Sequence, residues 1–129
     1  MDLSPRLEAL FGYLYHSIRN EAEYEVKYVR GEETYPSLIL GHSESRAVLA
    51  KYLTSDEAVD AFRRVMEIVG QSTIYSIMSI LGFACEVDEG YRYALIDKET
   101  GEDLYPNCGY IDGWTQFAYD RDAALEEQQ

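Results

Sequence analysis

"EYEVKYV" (residues 23–29) alternates strictly, with Tyr24, Val26 and Tyr28 on one side and Glu23, Glu25 and Lys27 on the other. A two-residue period sends successive side chains to opposite faces of a strand, so the spacing predicts a half-buried β-strand with its aromatic side inward. "RGEE" (30–33) then offers a turn, and "TYPSLIL" (34–40) a second strand. Pro36 cannot donate to a ladder, which places it at an edge or a strand start. The two strands form a hairpin.

On the amino-terminal side, Ser4 and Pro5 start a helix, because Ser caps free amides and Pro lacks the N–H that a first turn leaves unpaired. Leu7, Leu10, Phe11, Leu14 and Ile18 make one apolar stripe, which predicts a helix over about 5–20. Downstream, "RAVLAKYL" (46–53) is a short helix. "TSDE" (54–57) fits a capping box for the next one, whose face is Val59, Phe62, Val65, Met66 and Val69 and whose end is Gly70. "STIYSIMSILG" (72–82) mixes β-branched content with helical spacing and is taken as a buried helix. "FACEV", "YRYALID" and "EDLYP" are three short strands separated by "DEG" and "KETG", where Gly90 and Gly101 supply positive φ. "DGWTQFAYDRDAALEEQQ" is a C-terminal helix capped by Asp112, with Trp114, Phe117, Ala118 and Leu125 on its apolar side and residues 126–129 as a frayed tail.

This order lacks a regular βα alternation. The reading is therefore an α+β single domain over 1–129, an antiparallel sheet of about five short strands with four or five helices packed mainly on one face. A chain of 129 residues is long enough to bury one core without disulfides or metal.

The chain holds 24 acids against 11 Lys and Arg, a net charge of −13 that disfavours a phosphate backbone. Residues 1–64 contain 11 acids and 8 bases, residues 65–129 13 acids and 3 bases. Direct nucleic-acid binding is excluded on this ground, and an acidic field of this kind speeds encounter with a basic protein. Cys85 and Cys108 form no framework, which suits a reduced cytoplasmic setting, and neither a signal peptide nor a membrane span is legible.

Chemistry has few candidates. "GHSES" (41–45) resembles a nucleophile elbow around Ser43, but Ser45 replaces the last Gly and both histidines, His16 and His42, precede the serine. Its serines instead suit helix capping, and His42 with Arg46 at a helix start suits a small anion. Cys108 in "PNCGYIDG" is a second nucleophile candidate, ahead of a helix that would lower its pKa. Two His and two Cys without ligand spacing predict no metal, "DKETGED" lacks the positions of a calcium loop, and no phosphate-binding glycine motif implies a cofactor.

What remains is surface. Between Glu86 and Asp103 seven carboxylates face Arg92 and Lys98 with tyrosines interleaved. Acids that steer and tyrosines that anchor point to a non-enzymatic binder of a basic protein, of the inhibitor, immunity or regulatory kind. The partner-binding residues on this reading are Glu86, Asp88, Glu89, Tyr91, Tyr93 and Asp97, continuing through Glu99, Asp103, Tyr105, Tyr110 and Trp114. A homodimeric helper with its contact on the C-terminal helix, through Trp114 and Phe117, is the alternative, followed by a small enzyme using Cys108 or Ser43.

Overall fold

The computed structural model describes residues 3–32, 38–82, 93–104 and 113–128. Among them lie four helices, α1 Pro5–Val29, α2 His42–Tyr52, α3 Asp56–Gly82 and α4 Gly113–Glu127. They include no strand, and their β-pairing is a single antiparallel bridge between Ile96 and Asp103. The α+β architecture with a five-stranded sheet is thereby corrected to an all-helical fold.

The correction begins at residues 23–29, which form the last two turns of α1. Leu7, Phe11, Tyr15, Ala22, Val26 and Val29 are all buried. Their spacings of 4, 4, 7, 4 and 3 are those of one helix face carried past the predicted end at residue 20. Val26 belongs to both patterns, and the flanking tyrosines leave the buried face, Tyr24 being 46% exposed. The "RG" of the supposed hairpin turn closes the helix instead. The Gly31 N–H donates to the Tyr28 carbonyl at 3.0 Å and the Glu32 N–H to the Lys27 carbonyl at 2.9 Å. With Gly31 at φ 74°, this pair of bonds is a Schellman cap.

Residues 38–40 of the second expected strand form a bend and turn leading into α2, and 34–37 lie outside the described residues. "FACEV" lies outside them too, while the described parts of "YRYALID" and "EDLYP" contribute only the two bridge residues. α3 starts one residue later than the capping box implies, since the Ser55 hydroxyl accepts the Ala58 N–H at 3.1 Å and Thr54 stays outside. It then runs through Gly70, joining the two helices expected at 54–70 and 72–82. A mid-helix Gly costs only about 1 kcal/mol, less than burying Met78 and its neighbours returns.

The chain divides into two compact units, Met1–His16 with Gly70–Gln129, and Ser17–Val69, and α1 and α3 contribute to both. The core of the first is aromatic. Phe11 meets Trp114 edge-on at 5.3 Å and Phe117 at 5.8 Å, and Trp114 and Phe117 stack at 6.2 Å. The Trp114 indole N–H donates to the Gln71 carbonyl at 2.8 Å, fixing α4 against α3. Asp122 accepts from the Tyr15 hydroxyl and from the Gln71 amide, tying α4 to both long helices. In the second unit Ala22, Val26, Val29 and Val59 are buried and the surface is laced with ion pairs.

Candidate functional site

Five of the partner-binding residues expected from sequence are described: Tyr93, Asp97, Glu99, Asp103 and Trp114. Glu86, Asp88, Glu89, Tyr91, Tyr105 and Tyr110 lie outside the described residues, as do Cys85, Cys108 and the expected cap Asp112.

Two of the five serve the fold. Trp114 is 1% exposed, at the centre of the aromatic core. Phe117 packs beside it against Phe11 and Tyr15, so the α4 residues named for a dimer contact both lie inward. Asp97 is buried as well, and organises the turn that follows it. One carboxylate oxygen accepts the Glu99 N–H at 2.8 Å and the Thr100 N–H at 3.3 Å, while the other meets the Arg6 guanidinium at 2.6 Å. The Glu99 amide first, then the Thr100 amide and Arg6, hold this carboxyl below the usual range despite its burial. Gly101 at φ 75° completes the turn, and the Gly101 N–H returns to the Asp97 carbonyl at 2.8 Å. The short connection expected at "KETG" is thus present without strands on either side.

Three remain on or near the surface. Glu99 is exposed and reaches Arg6 at 3.3 Å, Tyr93 is exposed, and Asp103 is half-buried at the bridge. α4 adds Asp120, Glu126, Glu127 and Tyr119 to the exposed set of the same unit. The unit of Met1–His16 and Gly70–Gln129 holds 14 acids against 4 bases, whereas Ser17–Val69 holds 10 against 7. Five arginines of the second unit, Arg19, Arg30, Arg46, Arg63 and Arg64, stand in ion pairs with its own carboxylates. Negative charge is therefore concentrated in one unit and largely compensated in the other.

"GHSES" resolves into a different device. Gly41 at φ 79° is the N-cap of α2 and makes no side-chain cap bond, so neither Ser43 nor Ser45 caps the helix. Ser43 is exposed in the first turn. The two basic residues expected to hold an anion, His42 and Arg46, hold Glu25. Arg46 grips that carboxylate through Nη2 at 2.6 Å and Nε at 3.0 Å, and His42 Nε2 lies 3.0 Å from it. Because a carboxylate only accepts, Nε2 is the protonated nitrogen. The Arg46 guanidinium also covers the Tyr28 ring at 4.0 Å. Arg46 above all, with His42, lowers the Glu25 pKa against the opposing effect of burial. α2 buries no residue of its own, so these polar contacts are its described attachment to α1. Sequence reasoning saw His42 and Arg46 but not Glu25, because nothing in the chain marks a carboxylate 21 residues before Arg46 as its partner.

Large apolar side chains are exposed in both units. In Ser17–Val69 they include Leu38, Ile39 and Leu40 before α2, Val48 and Tyr52 on it, and Val65, Ile68 and Val69 on α3. In the other unit they include Tyr13 on α1, Tyr75, Ile77 and Ile80 on α3, and Tyr93, Ile96 and Tyr119. Among the described residues no three or more His, Cys, Asp or Glu gather where they would hold a metal ion, and no helix is long and apolar enough to cross a membrane. No family model, curated protein or solved structure matches the chain.

Proposed function

We propose that the chain is a non-enzymatic binding domain that recognises a basic protein through its acid-rich unit, Met1–His16 with Gly70–Gln129. The observation that supports this most directly is the partition of charge. A surplus of ten acids over bases falls in one unit, and the arginines that would soften it are paired off in the other. Exposed Glu99, Glu102, Asp120 and Glu126 supply the field, which raises encounter rates with a cationic surface. Exposed Tyr93 and Tyr119 supply area that is buried at small rotamer cost once the partner has arrived. Trp114 and Asp97 have no place in this surface, since the core and the turn consume them.

The test has two stages. The immobilised chain is used to capture proteins from its host at about 50 mM salt, and each retained protein is then titrated up to about 500 mM. The expected partner is basic and loses at least tenfold in affinity across that range, through slower association. Neutralising Glu99, Glu102, Asp120 and Glu126 to their amides lowers the association rate, whereas Tyr93→Ala and Tyr119→Ala raise the dissociation rate. Partners that are neutral or acidic, or an affinity flat with salt, refute the proposal.

A further inference from the structure

Helix α2 is fastened differently from the helices on either side of it. None of its residues is buried, and its N-cap Gly41 makes no side-chain bond. At 11 residues it falls short of the roughly 12–15 that make even a favourable helix marginal in water, so it depends on contacts outside itself. Its described ionic contacts to α1 converge on one carboxylate. Arg46 meets Glu25 through two nitrogens, His42 reaches it at 3.0 Å, and the Arg46 guanidinium lies on the Tyr28 ring at 4.0 Å. The Arg46 and Glu25 side chains are 13% and 22% exposed, so removing either one leaves the other a poorly solvated charge.

The neighbouring helices are closed by their own residues. α1 ends in the Schellman cap at Gly31, and α3 begins at the Ser55 hydroxyl. Within the unit Ser17–Val69 the two are also joined directly, by Arg63 to Glu23 at 2.8 Å, Arg30 to Asp56 at 3.9 Å and Arg19 to Glu67 at 4.0 Å. None of these bonds passes through α2.

We infer that α2 is a releasable strap, which opens and melts as one unit with the Glu25 carboxylate as its latch, while α1 and α3 stay paired. Opening lifts Arg46 off Glu25 and off Tyr28. It thereby bares a carboxylate and an aromatic ring on α1 that the closed form covers. That surface belongs to the unit Ser17–Val69 and not to the acid-rich unit of the proposed function, so the two readings can fail separately.

Two signatures distinguish a strap from a helix that is lost only with the whole fold. Because α2 buries no residue, its opening exposes little apolar surface, and the slope against urea, which scales with the surface exposed, is small. Because Glu25 and Arg46 act as one latch, losing both costs little more than losing one.

Amide hydrogen exchange of the full chain at neutral pH, residue by residue in sub-denaturing urea, measures both. The expected result is a common opening of the amides from Arg46 to Tyr52, at least about 100-fold more frequent than in the middle of α1 and α3. It should stay nearly flat in urea while the others climb. Glu25→Gln and Arg46→Gln should each speed the α2 amides about threefold to fivefold and leave the middle of α1 and α3 unchanged. The double variant should exchange within about twofold of the faster single one. Glu23→Gln, which loosens Arg63 instead, should leave α2 as it is. The inference is overturned by α2 amides that share the urea slope of α3, or by a Glu25→Gln variant that leaves α2 unchanged or speeds α3 equally. A double variant whose gain is the product of the two single gains overturns it as well.

Discussion

Replacing Val29 by Ala removes two carbons from a side chain that is 5% exposed in the last turn of α1. At about 0.8 kcal/mol per buried CH₂-sized group the transfer loss is about 1.6 kcal/mol. A residual void adds up to about 1 kcal/mol if the surroundings do not close. Ala forms helix better than Val, which returns about 0.5 kcal/mol. The net cost is about 1 to 2 kcal/mol. Tyr24→Gln is the matched control. Tyr24 is 46% exposed, its contact with Lys27 spans 5.7 Å at the surface, and Gln keeps an aliphatic stem and a good helix propensity. Its cost should be about 0.5 kcal/mol. Were residues 23–29 a strand with the aromatics inward, the order would reverse. Tyr24 would be core, and Val29 would lie on the side of Glu23, Glu25 and Lys27. Val26 is inward either way and decides nothing. Urea unfolding followed by far-ultraviolet circular dichroism reads the difference. With a slope of about 2 kcal/mol per molar, Val29→Ala lowers the midpoint by about 0.5 to 1 M and Tyr24→Gln by about 0.25 M. A Tyr24→Gln midpoint below that of Val29→Ala would refute the helical register of the fold-deciding segment.

Trp114→Phe keeps the packing on Phe11 but loses ring area and the bond to Gln71, and should destabilise by about 2 kcal/mol in thermal melts. A change below about 0.5 kcal/mol would return Trp114 to the surface. For Glu25, whose carboxyl is lowered in the folded chain from 4.5, the stabilising contribution is fully present above the unfolded value and is lost as pH falls through the folded one. Glu25→Gln should therefore be less stable than the parent by up to about 1 kcal/mol at pH 7, allowing for solvent screening, with the gap closing in acid. The same variant should speed amide exchange selectively in α2; equal exchange in both proteins would mean that α2 is held by other contacts. Ser55→Ala should cost about 1 kcal/mol as the loss of a true cap, and Ser43→Ala less than about 0.5 kcal/mol because Gly41 occupies the cap position. Equal effects at the two serines in calorimetry would reject that assignment.

The helices read from the sequence at 5–20, 46–53, 54–70, 72–82 and 113–125 all fall within helices of the fold to within a residue or two at their ends. The misread segment failed for a definite reason. In a run as short as 23–29 a period of two and a period of 3.6 share Val26, and only the register inherited from Phe11, Tyr15 and Ala22 separates them. Gly31 misled in the same way, since a left-handed glycine serves a hairpin turn and a Schellman cap equally well. Gly70 was given a stop signal that tertiary burial on either side of it overrides. At the candidate surfaces, composition revealed the acid surplus but not its division, because the boundaries at His16 and Gly70 cut through two uninterrupted helices. The charge-free run of α3, residues 68–82, stood in plain view. The spacing of Ile74, Ile77, Met78 and Leu81 reads as a buried helix, whereas the exposure of Tyr75, Ile77 and Ile80 leaves one side of it uncovered.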